Sequence, residues 1–279
     1  YPKAWSPSTY GPVSGEVIYL DASTEEELAE YKGKLTGKFV LLDTLREVKE
    51  WFDPPASRHG SERLLELANA PMPTPRVFRN YRGSGANFRK TLWTFLGEEK
   101  PLAVIDRSYK GDLGTVFVSR ASTAEGRAQD TDQEVIPQMT MSVEHYNRLF
   151  RLLQKGITST MSMELKAAYT NPDGMEHNII AEIPGTDLKD EVVMFGAHFD
   201  SWHSGTGATD NAAGSSVMME VARILMETIK ESGVKPRRTL RIALWTGEEQ
   251  GLLGSRAYVA EHFAETDPRG NPLSLKPEQ

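Results

Sequence analysis

EVVMFGAHFDSWHSGTGATDNAAG (Glu191–Gly214) and RRTLRIALWTGEEQGLLG (Arg237–Gly254) decide how this chain is read. Each holds a near-continuous apolar run, VVMFGA in the first and TLRIALW in the second, the pattern of a strand buried on both faces. Between them, Asn211 to Glu231 sets Val217, Val221, Ile224, Leu225 and Ile229 on one side of a helix. HNIIAEIPG (His177–Gly185) is a further strand, separated from the first run by a turn through Pro184 to Asp190. A second helix follows from about Gly251 to Phe263. Strand, helix, strand, helix predicts an α/β layer with helices packed on a sheet.

In open α/β sheets, sites form beyond the carboxyl ends of the strands. His198 ends the first apolar run, and Glu248 and Glu249 end the second. Asp210 lies in the Gly-rich loop just before the helix, whose N-terminus favours an ionised carboxylate. Imidazole nitrogen and carboxylate oxygen are zinc donors, and a carboxylate can lend one oxygen to each of two ions. A carboxylate next in sequence to a ligand, as Glu248 is to Glu249, is suited to take a proton from water. The pair can serve both roles only if the strand has already turned at Gly247, because successive side chains of a strand point opposite ways. Asp200, two residues after His198, is suited to accept the ring N–H and fix its tautomer.

The 279 residues carry no cysteine, so disulfides and thiolate metal sites are excluded and any transition metal must use His, Asp and Glu. Net charge is −7, which disfavours a nucleic-acid partner. No apolar run reaches the roughly 20 residues of a membrane span. The chain opens on YPKAWSPSTYG and closes on PRGNPLSLKPEQ, and reads as a fragment or processed form.

Upstream, residues 1–13 hold three prolines and read as a linker. GEVIYL (Gly15–Leu20), GKFVLLD (Gly37–Asp43), PLAVID (Pro101–Asp106), GTVFVSR (Gly114–Arg120) and TSTMSMELKAAY (Thr158–Tyr169) are strand candidates. Ser23–Lys34 is expected as a helix with Ser23 and Glu26 as a capping box. Gly60–Ala70 is a further helix, with Leu64, Leu65 and Leu67 as its face. Ser84–Lys100 carries a stripe of Phe88, Leu92, Phe95 and Leu96, and VEHYNRLFRLLQKG carries Tyr146, Leu149, Phe150 and Leu153, with Gly156 at its C′ position. No catalytic constellation lies in this region. His59, His145 and His177 read as ordinary structural residues, and the paired methionines as core or sheet positions.

HFDS, TDNAAG and WTGEEQGLLGS resemble signature segments of the co-catalytic, two-zinc exopeptidases, the family of aminopeptidases and glutamate carboxypeptidases. SWHSGTGATDNAAG and PRRTLRIALWTGEEQG are most similar to its plasma glutamate carboxypeptidase branch. The resemblance covers roughly Ala167 to Phe263. GKFVLLD, the helix before PLAVID, GTVFVS and IPQMTMSVEHYNRLFRLLQKG resemble a protease-associated domain.

Together these imply an α/β fold: part of a three-layer, phosphorylase/hydrolase-like zinc-exopeptidase domain over 166–279, preceded by an α+β protease-associated domain over 14–165. The implied roles are His198 as ligand of one zinc, Asp210 as bridging ligand, Glu249 as ligand of the other zinc, Glu248 as general base, with Asp200 supporting His198. A cis peptide between Asp210 and Asn211 is also implied. The implied activity is hydrolysis of terminal peptide bonds, aminopeptidase type, by water activated between two Zn2+ ions. The alternatives are a carboxypeptidase or dipeptidase of the same fold, or a non-catalytic binding module if the chain ends at Gln279.

The resemblance implies a peptide substrate, a secreted or periplasmic location, and leaves a homodimer open. The family also uses a later Asp and a distal His that nothing here matches. Asp267 reads as a turn residue and His262 as a helix C-terminal charge, while His203 lies in the loop between the ligands. The expectation is a C-terminally truncated chain that by itself binds zinc weakly or not at all and is inactive.

Overall fold

The computed structural model of the protein describes residues 1–50, 52, 54, 56–71, 84–128, 134–168, 170, 174–267 and 270–276. Its contacts divide the chain into two units, Tyr1–Ala168 and Tyr169–Gln279.

The first unit contains β1 (Val13–Tyr19), α1 (Glu25–Ala29), β2 (Phe39–Leu41), α2 (Ser61–Ala68), α3 (Ser84–Glu99), β3 (Ala103–Arg107), β4 (Ser122–Thr123), β5 (Gly126–Arg127), β6 (Gln138–Met141), α4 (Val143–Gln154) and β7 (Thr160–Met163). Five strands form one sheet in the order β6-β3-β2-β1-β7, with β7 antiparallel to β1 and the rest parallel. The apolar triplet Phe39-Val40-Leu41 is fully buried because alternate residues enter different cores. Phe39 and Leu41 pack with Ile105, Tyr146 and Phe150, and Val40 packs with Leu28, Leu35, Trp93 and Leu96. Each such side chain contributes about 1.5–3 kcal/mol by leaving water.

Several expectations for this unit are corrected. The capping box uses Thr24 and Glu27 rather than Ser23 and Glu26, and α1 is a short helix. Ser23 still takes part, since its N–H and hydroxyl donate to the Glu27 carboxylate. Leu64, Leu65 and Leu67 of α2 remain exposed, so that helix packs no face among the described residues. Gly114–Arg120 forms no strand. Its backbone spends its hydrogen bonds locally and on the N-terminal segment: Thr115 N–H on the Asp112 carbonyl, Phe117 N–H on the Ser108 hydroxyl, and the Ser119 carbonyl on Ala4 N–H. The expected long strand over 158–169 pairs only at Thr160–Met163. In the expected linker, Pro2 and Ala4 make β-bridges to Met139 and Arg120, and Lys3 is buried.

The second unit contains β8 (Ile179–Ile183), β9 (Leu188–His198), α5 (Ala213–Ser232), β10 (Arg238–Trp245), α6 (Leu253–His262), β11 (Ala264–Thr266) and β12 (Pro272–Leu275). Its main sheet runs β8-β10-β9, with β10 in the centre, parallel to β9 and antiparallel to β8. α5 packs on β9 and β10. Gly196 lets β9 approach β10 closely, for a Cβ there would collide with the Ala243 carbonyl oxygen.

The run VVMFGA has the pattern of a strand buried on both faces, but Val192, Val193 and Met194 stay exposed, as do Val217 and Ile224 of α5. The reason is geometric: β9 is a sheet edge, and three strands with two helices cover each other only in part among the described residues. No helix of the described residues is long and apolar enough to cross a membrane.

Candidate metal and catalytic site

The register of the second sheet assembles the site. Trp245 pairs with His198, so the carboxyl ends of the parallel strands β9 and β10 stop side by side. The loop after β9 and the loop after β10 therefore leave the sheet as neighbours. Gly247 turns the second loop at φ +61, the left-handed region in which a side chain is strained. This is the turn that frees the Glu248–Glu249 pair from strand alternation.

His198 is the hub. Its Nε2 lies 3.1 Å from Asp210 Oδ1 and 3.7 Å from Glu248 Oε2. On the other side of the ring, Nδ1 lies 3.1 Å from the Asp200 backbone carbonyl and 3.5 Å from its carboxylate. Both ring nitrogens thus face oxygen acceptors, and the Asp200 carbonyl is the partner that would hold the Nδ1 proton when a cation occupies the Nε2 side. The Ser215 hydroxyl, at the start of α5, donates to the His198 carbonyl at 2.8 Å and ties the helix to the strand end.

Asp200 does more than support the ring. Its two carboxylate oxygens accept the backbone N–H groups of Glu248 at 3.0 Å and Glu249 at 3.1 Å. The sequence suggests only its ring contact, and there the backbone carbonyl is the nearer partner. Asp210 sits in the turn Ala208–Ala212 that leads into α5, with a cis peptide to Asn211. Its side chain is 74% exposed, whereas that of His198 is 12% exposed. The Glu249 carboxyl titrates above the usual glutamate range. Burial is the main cause, the negative charges of Asp210 and Glu248 add to it, and His198 partly offsets it.

This donor set fits zinc in kind and in charge: an imidazole nitrogen, a carboxylate beside it, and a second carboxyl whose ionisation its acidic neighbours resist until a cation relieves it. The fit extends to two convergent donors. Among the described residues, no group of three or more ligand-type side chains is spaced to hold an ion. Asp267 behaves as a turn residue, accepting from Asn271 N–H and Gly270 N–H. His262 packs at a tilt against the Tyr258 ring at the end of α6.

One residue that sequence reasoning misses belongs to this region. Asn178, just before β8, accepts from Thr246 N–H and donates to the Gly254 carbonyl. Nothing in its sequence context marks it, because its partners lie 68 and 76 positions away.

Residues 178–270 match the family described as Peptidase family M28. The matched residues lie within the second unit. Curated relatives agree. Carboxypeptidase Q of Xenopus laevis is 35% identical over 133 residues, 48% of this chain and 27% of that protein. The glutamate carboxypeptidase 2 homolog of Caenorhabditis elegans is 43% identical over 84 residues, 30% of this chain and 11% of that protein. The matched stretches thus span about a quarter or less of these relatives. The crystal structure of a peptidase M28 precursor from Shewanella amazonensis SB2B is similar in fold, with a TM-score of 0.51 and 24% identity, over 94% of this chain and 51% of that one.

Proposed function

We propose that this protein is a zinc-dependent metallo-exopeptidase that hydrolyses terminal peptide bonds, with Glu248 as general base. The observation that carries the reading is the meeting of Asp210 and Glu248 on the Nε2 side of His198, within the M28-matching segment. His198, Asp210 and Glu249 are the residues of this chain that would hold zinc. Zinc, when bound, supplies a Lewis acid that polarises the scissile carbonyl and lowers the pKa of water.

The chain's own residues supply the rest. Asp200 holds the His198 ring and both glutamate amides, so the imidazole and the backbone that carries the two carboxylates are tied together. Glu248 Oε2 takes the proton from the attacking water and passes it to the departing amine. Removal of one free-terminal residue per cycle, aminopeptidase type, is the first reading. The relatives named carboxypeptidases favour a second, in which the same site releases residues from a carboxyl terminus or splits dipeptides.

The test is hydrolysis by the zinc-loaded protein of unblocked, N-acetylated and C-amidated peptides. Cleavage requiring a free amino terminus supports the first reading, and cleavage requiring a free carboxylate supports the second. In a protein carrying the complete ligand set, Glu248→Ala is expected to reduce turnover by at least about 10²-fold while zinc remains bound. Unchanged turnover in that variant would remove Glu248 from the role.

A further inference from the structure

We infer that Asn178 is a positioning residue that clamps the loop carrying Glu248 and Glu249, an inference that rests on the peptidase reading for its functional meaning but on geometry for its substance. β10 is the central strand, so its carboxyl end has a neighbour on each side. On one side is the end of β9, which delivers Asp200. On the other is the start of the antiparallel β8, where Ile179 pairs with Leu244, and this delivers Asn178 one position earlier. The two residues grip different parts of one loop.

The segment from Thr246 to Gly254, the loop after β10 with the first residues of α6, closes on itself. Gly254 N–H donates to the Thr246 carbonyl at 2.9 Å, Leu253 N–H to the Gly247 carbonyl at 3.0 Å, and Leu252 and Gly251 N–H both to the Glu248 carbonyl, at 2.9 and 2.8 Å. This leaves the Thr246 N–H and the Gly254 carbonyl facing away from the loop's closing bonds. Asn178 satisfies both, accepting Thr246 N–H on Oδ1 at 3.2 Å and donating Nδ2 to the Gly254 carbonyl at 2.9 Å. One amide side chain therefore staples the two ends of the loop. Only a group with an adjacent acceptor and donor can do so, and its orientation is set by the partners, since the N–H must meet oxygen and the carbonyl must meet N–H.

Gly254 is part of the same device. A Cβ there would collide with Asn178 Oδ1 and come within 2.6 Å of the Thr246 carbonyl oxygen. Within the loop, Asp200 fixes the amides of Glu248 and Glu249 while Asn178 fixes the ends from which they hang. Hydrogen bonds behind a ligand shell typically govern metal affinity by about 10–100-fold, and catalytic geometry tolerates little displacement.

The experiment compares the parent chain with Asn178→Ala, Asn178→Asp and, as a control, His177→Ala at the exposed neighbouring position. Amide hydrogen exchange reports on the loop, and competition with a chelator reports the affinity for zinc alone. Asn178→Ala is expected to expose the Gly251–Gly254 amides to faster exchange and to weaken zinc binding by about tenfold or more, with kcat falling and KM little changed. Asn178→Asp keeps the acceptor for Thr246 and is expected to fall between parent and alanine. His177→Ala is expected to match the parent in both measurements. Unchanged exchange in Asn178→Ala overturns the clamp. Faster exchange with unchanged zinc affinity overturns its positioning role. A parent chain that binds no zinc is the outcome expected of an incomplete ligand set, and exchange alone then decides whether the clamp exists.

Discussion

The Asp200 carboxylate accepts the backbone N–H of Glu249 at 3.1 Å while its partner oxygen accepts that of Glu248 at 3.0 Å. One side chain from the end of β9 thereby fixes two consecutive peptide units beyond β10. Carboxylate–amide bonds are charge-assisted and stronger than neutral ones. Asp200→Ala is expected to lower zinc affinity by about 10–100-fold, and Asp200→Asn by less, because one acceptor survives. Chelator competition at constant pH checks this. Equal affinity in parent and alanine variant would show that the loop holds its place without Asp200.

Glu249 carries a testable pH sign. Burial first, and then the charges of Asp210 and Glu248, push its carboxyl above the ordinary range. A carboxyl whose folded pKa exceeds its unfolded value binds its proton more tightly when folded. Its contribution to stability is therefore present at low pH and lost as pH rises through the raised range. In metal-free protein at neutral pH, Glu249→Gln is expected to raise the unfolding midpoint, with the advantage shrinking on acidification. With zinc present the order reverses, because the variant has lost a donor. Melting curves with chelator and with zinc separate the two.

Gly196→Ala probes the strand spacing behind His198. The new methyl would meet the Ala243 carbonyl oxygen on β10, and neither atom belongs to a flexible group. The expected cost is about 1–3 kcal/mol of stability, the usual range for overpacking. Because His198 lies two residues on, weaker zinc binding should accompany it. Chemical denaturation and zinc titration of the same sample read both.

Tyr146 secures the first unit. Its hydroxyl donates to the Asp43 carbonyl and accepts Asp43 N–H, both at 2.8 Å. Tyr146→Phe is expected to destabilise this unit by about 1–3 kcal/mol, the cost of leaving partly buried backbone groups without a partner. Burial also raises the phenol above the usual tyrosine range. The folded state keeps this proton when the unfolded chain loses it, so stability should fall as pH climbs past about 10. The variant should lack that part of the alkaline slope, as denaturation at a series of pH values would reveal.

The elements with strong periodicity are legible in the sequence. α4, β2, β3, β9, α5 and β10 fall where apolar spacing puts them, since that spacing follows from helix and strand geometry alone. GTVFVSR has the composition of a strand and forms none, because pairing needs an available neighbour. The Ser119 carbonyl bonds Ala4 instead, and the Ser108 hydroxyl takes Phe117 N–H. Periodicity is also silent on exposure. VVMFGA reads as an interior strand, yet β9 borders only β10 among the described residues.

At the site, the sequence by itself determined the ingredients: His198, Asp210, Glu248 and Glu249 at the ends of apolar runs or before a helix, and a Gly247 able to turn the chain between them. It could do so because strand ends and helix starts are local features. The tertiary structure alone decided how those ingredients are held. The pairing of Trp245 with His198 and of Leu244 with Ile179 sets two strand ends beside β10. That places Asp200 on the amides of the glutamate pair and Asn178 on the ends of their loop, contacts between residues 48 to 76 positions apart. Hydrogen bonds across such separations exist only once a sheet has brought the strands into register, and no pattern along the chain can state them in advance.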